Sequence, residues 1–338
     1  MRIDAIDIAR GYTVLIMPMV HVFVVFGNTD TLHSLAAIVM SIFAEETGAP
    51  LFMFLMGLSA GLNRDISPRI LFKRSLVLMA LAFVLNFLKF VLPFLPGLFP
   101  VSLLIDLGIS DTGTAVIELL LIGDILHLAS LSFFVFGISS LFRRYQWMFE
   151  FLVLLALLIC VSYAWSIEDS FGIAAWIAGE LPDAYFPLLP WLFYPLAGKL
   201  VSFVLIKFTR PFWIYSLAGV VLLCISSFHF LPHENLYNYY KPGVAGLLYY
   251  TGCILIWLMV CDCFSKVKLF HGLKENLRFL SRHITMVYFI QWLLIMWSVA
   301  LIGYRQQGLW STLLIALLIT TATMLGTKLC EKIVTKII

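Results

Sequence analysis

Windows of mostly apolar residues recur along the whole chain, near 8–27, 48–63, 73–95, 117–141, 147–166, 186–206, 212–231, 244–264, 283–303 and 309–329. Crossing a hydrocarbon core ~30 Å thick takes about 20 such residues in a helix. The predicted fold is therefore an all-α polytopic membrane protein of about ten transmembrane helices, one domain over residues 1–338. Composition agrees: 62% of the residues are hydrophobic and 12% charged, against about 45–50% and 25% in soluble domains. The second window is short, and the amphipathic LHSLAAIVMSIFAEET before it reads as an interfacial or re-entrant helix. Loops are too short to hold a soluble catalytic domain, so any chemistry belongs among the helices.

Charge tests this count, because a wrong number of spans would scramble the pattern between alternate loops. With the N-terminus in the cytoplasm, all of the 22 Lys and Arg except Lys89, Lys199, Lys241 and Arg305 fall on the cytoplasmic side. Lys199 lies within a span and the other three fall outside. Both termini are predicted to be cytoplasmic, and the outer side carries acids, as in SIEDSFGIAAWIAGELPDAY. The net charge of +3 thus reports topology and gives no sign of a nucleic-acid partner. The opening MRIDAIDIAR has mixed charge and no small-residue cleavage site closes the first apolar run, so the first span is expected to stay attached. The six cysteines lack the paired spacing of a zinc or redox motif and read as apolar fillers. The sequence holds no metal-ligand cluster and no phosphate-binding glycine loop.

Ionisable groups at membrane depth are costly, about 2.5–3.5 kcal/mol for a charge at a helix centre, which makes them the functional candidates. In RGYTVLIMPMVH, Arg10 and His21 stand eleven residues apart on the first span. Three turns and about 20° separate them, so they share a face, ~16 Å apart, Arg10 near the cytoplasmic surface and His21 in the outer half. An elongated ligand held by its anionic end at Arg10 would bring its reactive end to His21. In GDILH of the fourth span, Asp124 and His127 are spaced i,i+3 on one helical face at a similar depth. Interhelical hydrogen bonding is the plainer role for each of these groups alone; their shared depth points to a site. Glu45 and Glu46 sit where the chain enters the second span, placed to orient the histidine or bind a sugar hydroxyl, unless they form a solvated interfacial pair. Gln291 lies inside the ninth span as a hydrogen-bond donor or interhelical tie.

Five segments in order resemble a known family. RIDAIDIARGYTVLIMPMVH resembles the opening of acyltransferase-3 type membrane enzymes, where Asp-x-x-Arg-Gly leads into the first helix and a histidine follows the arginine. APLFMFLMGLSAGLNRD, DILHLASLSFFVFG, YFPLLPWLFYPLAGKLV and LSRHITMVYFIQWLL resemble segments of the heparan-alpha-glucosaminide N-acetyltransferase-like group. The last departs from its pattern, with Gln291 where a histidine is common.

The resemblance implies an integral-membrane acyltransferase of the plasma (inner) membrane that takes acetyl from cytoplasmic acetyl-CoA and delivers it to an outward-facing sugar or polysaccharide. It needs no metal. His21 would be the general base, or carry the acyl group in a covalent intermediate. Asp124 or His127 would orient it or bind the acceptor. Arg10, with Arg69, Lys73 and Arg74 after the second span, would hold the donor phosphates. A transporter or flippase with a polar midplane site is the competing class. Association with further copies of the chain is left open.

Overall fold

The computed structural model describes residues 3–63, 66–109, 111, 113–164, 172–208, 211–227 and 238–337. Arg2, Arg64 and Arg210 of the expected cytoplasmic set, Glu168 and Asp169 of the expected outer loop, and the ends 165–166 and 228–231 of two expected spans lie outside these residues. The described residues are helical with no strand, only two isolated bridges, Gly27 with Gln307 and Gly123 with Ala184.

Seven helical runs among the described residues are long and apolar enough to cross a membrane: Asp4–Phe26, Leu35–Leu62, Pro68–Phe94, Leu188–Lys207, Val244–Lys266, Ile284–Ile302 and Leu309–Ile333. Shorter apolar helices, Ile125–Leu141, Gln146–Val161 and Phe212–Ser226, occupy the three other expected windows. In chain order the main helices are α1 (Asp4–Phe26), α2 (Leu35–Thr47), α3 (Ala49–Leu62), α4 (Pro68–Asn86), α5 (Ala115–Leu121), α6 (Ile125–Leu141), α7 (Gln146–Ala164), α8 (Phe193–Phe208), α9 (Phe212–Ser226), α10 (Val244–Lys266), α11 (His271–Arg282), α12 (Ile284–Ile302) and α13 (Leu309–Ile337).

Two windows differ from expectation. The amphipathic segment before the second window becomes α2, which joins α3 at Gly48 into one 28-residue apolar run. The fourth window is broken: α5 ends at Leu121 and α6 begins at Ile125. Gly123 and Asp124 cause the break, since Gly costs ~1 kcal/mol in a helix interior and Asp favours a cap.

Both termini lie at one end of the bundle. Asp4 at the start of α1 pairs with Arg278 of α11 at 2.6 Å, and His283 approaches Glu331 near the end of α13 at 3.2 Å. At the opposite end the 303–307 turn clamps the end of α1, with Arg305 N–H donating to Val25 O at 2.9 Å and Gln307 N–H to Phe26 O at 2.8 Å. Lys199 of α8 pairs with Glu150 of α7 at 2.5 Å, and the Ser139 hydroxyl of α6 donates to the same carboxylate, tying three helices.

Helices in lipid gain little from hydrophobicity against one another, so close packing at small residues carries their association. α3 and α8 show this most sharply. A Cβ built at Gly57 would lie 1.8 Å from Pro195 O, and one at Gly198 would lie 2.0 Å from Phe54 O. Trp191, Tyr194, Phe54, Leu55 and Leu58 fill the core around this crossing. Because the obstacle is backbone, Gly57→Ala must push the helices apart. Overpacking of this kind costs about 1–3 kcal/mol, so the variant should melt several degrees below the parent in detergent; an unchanged melting temperature would contradict this contact.

Candidate functional site

The site is built on the break between α5 and α6, where backbone groups freed from helical bonding need other partners. Asn86 at the end of α4 donates to Leu120 O at 3.0 Å and Ile122 O at 2.8 Å. The Trp176 indole donates to Leu121 O at 2.7 Å. Gly123 N–H donates to Asp183 O at 2.7 Å and Tyr185 N–H to Gly123 O at 2.9 Å. Three distant segments thus hold open a gap that the sequence suggests should be continuous helix.

Asp124 therefore caps α6 rather than lying along a helical face. Its Oδ1 accepts Ile125 N–H at 2.6 Å, and the positive helix end favours the carboxylate. Its own N–H donates to Nδ1 of His127 at 3.1 Å. Since that nitrogen accepts, the proton of a neutral His127 sits on Nε2, which is buried and without a partner among the described residues. His127 is then a hydrogen-bond donor and not a base. Trp176 and Phe83 wall its ring at 4.6 and 5.6 Å between centroids.

Lys89 completes the centre. The sequence places it at the outer face; the structure buries it to 2% exposure and pairs its Nζ with Asp124 Oδ2 at 2.5 Å. The cause is a π-helical turn over Phe87–Val91 that follows α4. Such turns insert an extra residue into a helix and recur at functional sites. Tyr288 of α12 donates its hydroxyl to Asp124 Oδ1 at 2.6 Å, so the carboxylate is held by a cation, a phenol and a backbone amide. Lone carboxylates are costly in an apolar medium, and these three donors offset that cost.

His21 of α1 joins the same layer through Trp292. Its ring lies 4.2 Å from the indole, which also carries the Lys89 ammonium at 4.7 Å. Its buried Nδ1 has no hydrogen-bond partner among the described residues. The structure thus brings His21, Asp124 and His127 together and adds Lys89, Tyr288 and Trp292. Lys89 could have been found as a lone cation in the apolar run LNFLKFVLPF; Tyr288 and Trp292 carry no such mark.

The other candidates are placed apart. Arg10, at the opposite end of α1, donates to the Ser59 hydroxyl and lies 3.9 Å from Asp7. It lines a cavity of about 680 Å³ shared with Asp7, Ser59, Asn63, Ser281 and Arg282. Arg69, Lys73 and Arg74 are exposed at the start of α4 and do not line that cavity. Glu46 accepts the Tyr249 hydroxyl of α10 at 2.6 Å and Glu45 is exposed. Gln291 is fully buried beside Trp292, with neither amide atom partnered among the described residues.

An all-helical bundle with seven membrane-length runs defines an integral membrane protein, with a layer of charge and imidazole buried among its helices. The family model for heparan-alpha-glucosaminide N-acetyltransferase, catalytic, matches residues 2–239, and the chain belongs to that family. The matched region holds His21, Lys89, Asp124, His127 and Arg10, and ends before α12 supplies Tyr288, Gln291 and Trp292. No curated protein and no solved structure matches the chain.

The Tyr288 bond offers a direct check on the site's construction. Hydrogen bonds to charged groups contribute about 1.5–3 kcal/mol, so Tyr288→Phe should lower the melting temperature in detergent while the helical content stays unchanged. A variant as stable as the parent would show that the phenol does not help hold Asp124.

Proposed function

We propose that this chain transfers an acetyl group from acetyl-CoA, bound at the end of the bundle that carries the termini, to a sugar acceptor entering from the opposite, outward-facing end. The chain would cross the membrane ten times with both termini in the cytoplasm, which leaves Arg10 facing the donor. The observation that carries this reading is the placement of two sites on one helix. Arg10 lines a basic cavity at one end of α1 and His21 joins a buried charged layer toward the other, within the region that matches the acetyltransferase family. The break at Gly123 is a feature a transporter would share; family membership favours acyl transfer.

In the proposed reaction the donor's phosphates rest at Arg10 and Arg282, and its thioester reaches the His21 layer. A lone pair on the acceptor oxygen or nitrogen forms a bond to the thioester carbon while the carbonyl π electrons move onto oxygen. Neutral His21 takes the acceptor's proton. The intermediate collapses, the carbon–sulfur bond breaks, and the imidazolium returns the proton to the departing thiolate. His127, fixed as a donor at Nε2, binds the acceptor.

His21→Ala should reduce transfer from labelled acetyl-CoA to glucosamine by on the order of 10²–10⁴, as loss of a general base does, while the protein remains folded and binds the donor. Arg10→Ala should instead raise the donor concentration required. Near-parental transfer by a folded His21→Ala protein would end the assignment.

A second comparison concerns the exposed cations. Replacing Arg69, Lys73 and Arg74 together by Gln should weaken acetyl-CoA binding and flatten its salt dependence if they reach the donor phosphates. Unchanged affinity would leave Arg10 and Arg282 as the phosphate-binding pair.

A further inference from the structure

Buried ion pairs are poor sources of stability, since two charges lose more hydration than their attraction returns unless further bonds satisfy them, and apolar replacements are often as stable. The Lys89–Asp124 pair therefore calls for another reason to exist. Its two members are held very unequally. Asp124 has Tyr288 and Ile125 N–H on its carboxylate in addition to Lys89. Lys89 has three ammonium protons, and Asp124 Oδ2 is the one hydrogen-bond acceptor it meets among the described residues. Its other neighbours are the ring faces of Phe90 at 4.5 Å and Trp292 at 4.7 Å. Ring faces attract a cation only modestly, by about 0.5–2 kcal/mol, and an anion would displace them readily.

We propose that Lys89 is a further catalytic residue, whose ammonium binds the oxyanion that forms as the acceptor attacks the thioester carbonyl. The proposal rests on the acyl-transfer function above. That step leaves a full negative charge on the former carbonyl oxygen when His21 has taken the acceptor's proton, and preorganised positive charge in a dry site is the most effective means of stabilising it. Lys89 and His21 both contact the indole of Trp292, which places the cation in the same buried layer as the proposed base. Turning one ammonium proton toward the oxyanion need not release Asp124, because Tyr288 and the Ile125 amide keep the carboxylate in place. The π-helical turn at Phe87–Val91 is the backbone device that brings Lys89 inward. When the oxyanion collapses and the carbon–sulfur bond breaks, the ammonium returns to Asp124 with its protons unchanged.

The experiment compares full-length Lys89→Arg with the doubly neutral Lys89→Met/Asp124→Asn, assayed with labelled acetyl-CoA and glucosamine as the probe acceptor. Lys89→Arg keeps a cation paired with Asp124 and should retain kcat within about tenfold of the parent. The double variant leaves no charge unpaired and should melt near the parent, yet lose on the order of 10²–10³ in kcat, as removal of an oxyanion donor does, with KM for acetyl-CoA unchanged. If the double variant does not fold, Lys89→Gln/Asp124→Asn, which keeps a neutral hydrogen bond, takes its place with the same expectation. A folded double variant that turns over within about tenfold of the parent would overturn the role of Lys89 and leave it a tie between helices. Absence of transfer by the parent protein would instead count against the acetyltransferase function.

Discussion

The ion pair between Lys89 and Asp124 organises the buried polar layer of this protein. Each member is present only because the helix bearing it departs from regular geometry. Lys89 is turned inward by a π-helical turn, and Asp124 stands at a break where one helix stops and another starts. Both departures leave backbone groups in need of partners among buried residues. Asn86, Trp176 and the 183–185 segment supply those partners. The ion pair, the broken helix and the segments packed around it form one mutually dependent unit.

A second buried pair, Lys199 with Glu150, makes the contrast useful. There the cation lies over Phe136, and Ser139 and Gln146 both donate to the carboxylate oxygen that Lys199 binds. No histidine is part of this cluster among the described residues, and the cluster sits where α6 ends and α7 begins. The same two residue types, a lysine and a carboxylate in an apolar bundle, therefore do different things according to what surrounds them. Around Lys89 the neighbours are an imidazole, an indole and a phenol, groups that can exchange protons or accommodate a developing charge.

α1 runs from the cavity near the termini to the buried charged layer. It carries Arg10 at a cavity near the termini and His21 in the charged layer, and its close approach to α11, where a Cβ at Gly11 would lie 2.0 Å from Leu277 O, holds the cavity wall in place. α12 is the least expected contributor, because Tyr288 and Trp292 reach the layer from beyond the family-matched region. The family's match thus spans Arg10, His21 and the ion pair, while the residues that orient the carboxylate and contact the imidazole come from the remaining chain.

The sequence alone determined the solvent and most of the helices, because a hydrocarbon core acts on each local stretch by composition and length. The apolar windows, the interior His21 and the GDILH segment were all legible in that way, as was the alignment of Arg10 with His21 on one helix. It could not show that GD breaks the fourth window, since that outcome depends on Asn86, Trp176 and Asp183 arriving from elsewhere to satisfy the freed backbone. Nor could it move Lys89 from the outer face to the interior. Helical periodicity assumes a regular turn, and a π-helical turn shifts every direction beyond it; whether a cation in an apolar run points to an interface or to a carboxylate is decided by the partner, and the partner is 35 residues away in sequence. Tyr288 and Trp292 were invisible for the same reason, being ordinary aromatics of an apolar helix until tertiary packing set one on Asp124 and the other against both His21 and Lys89.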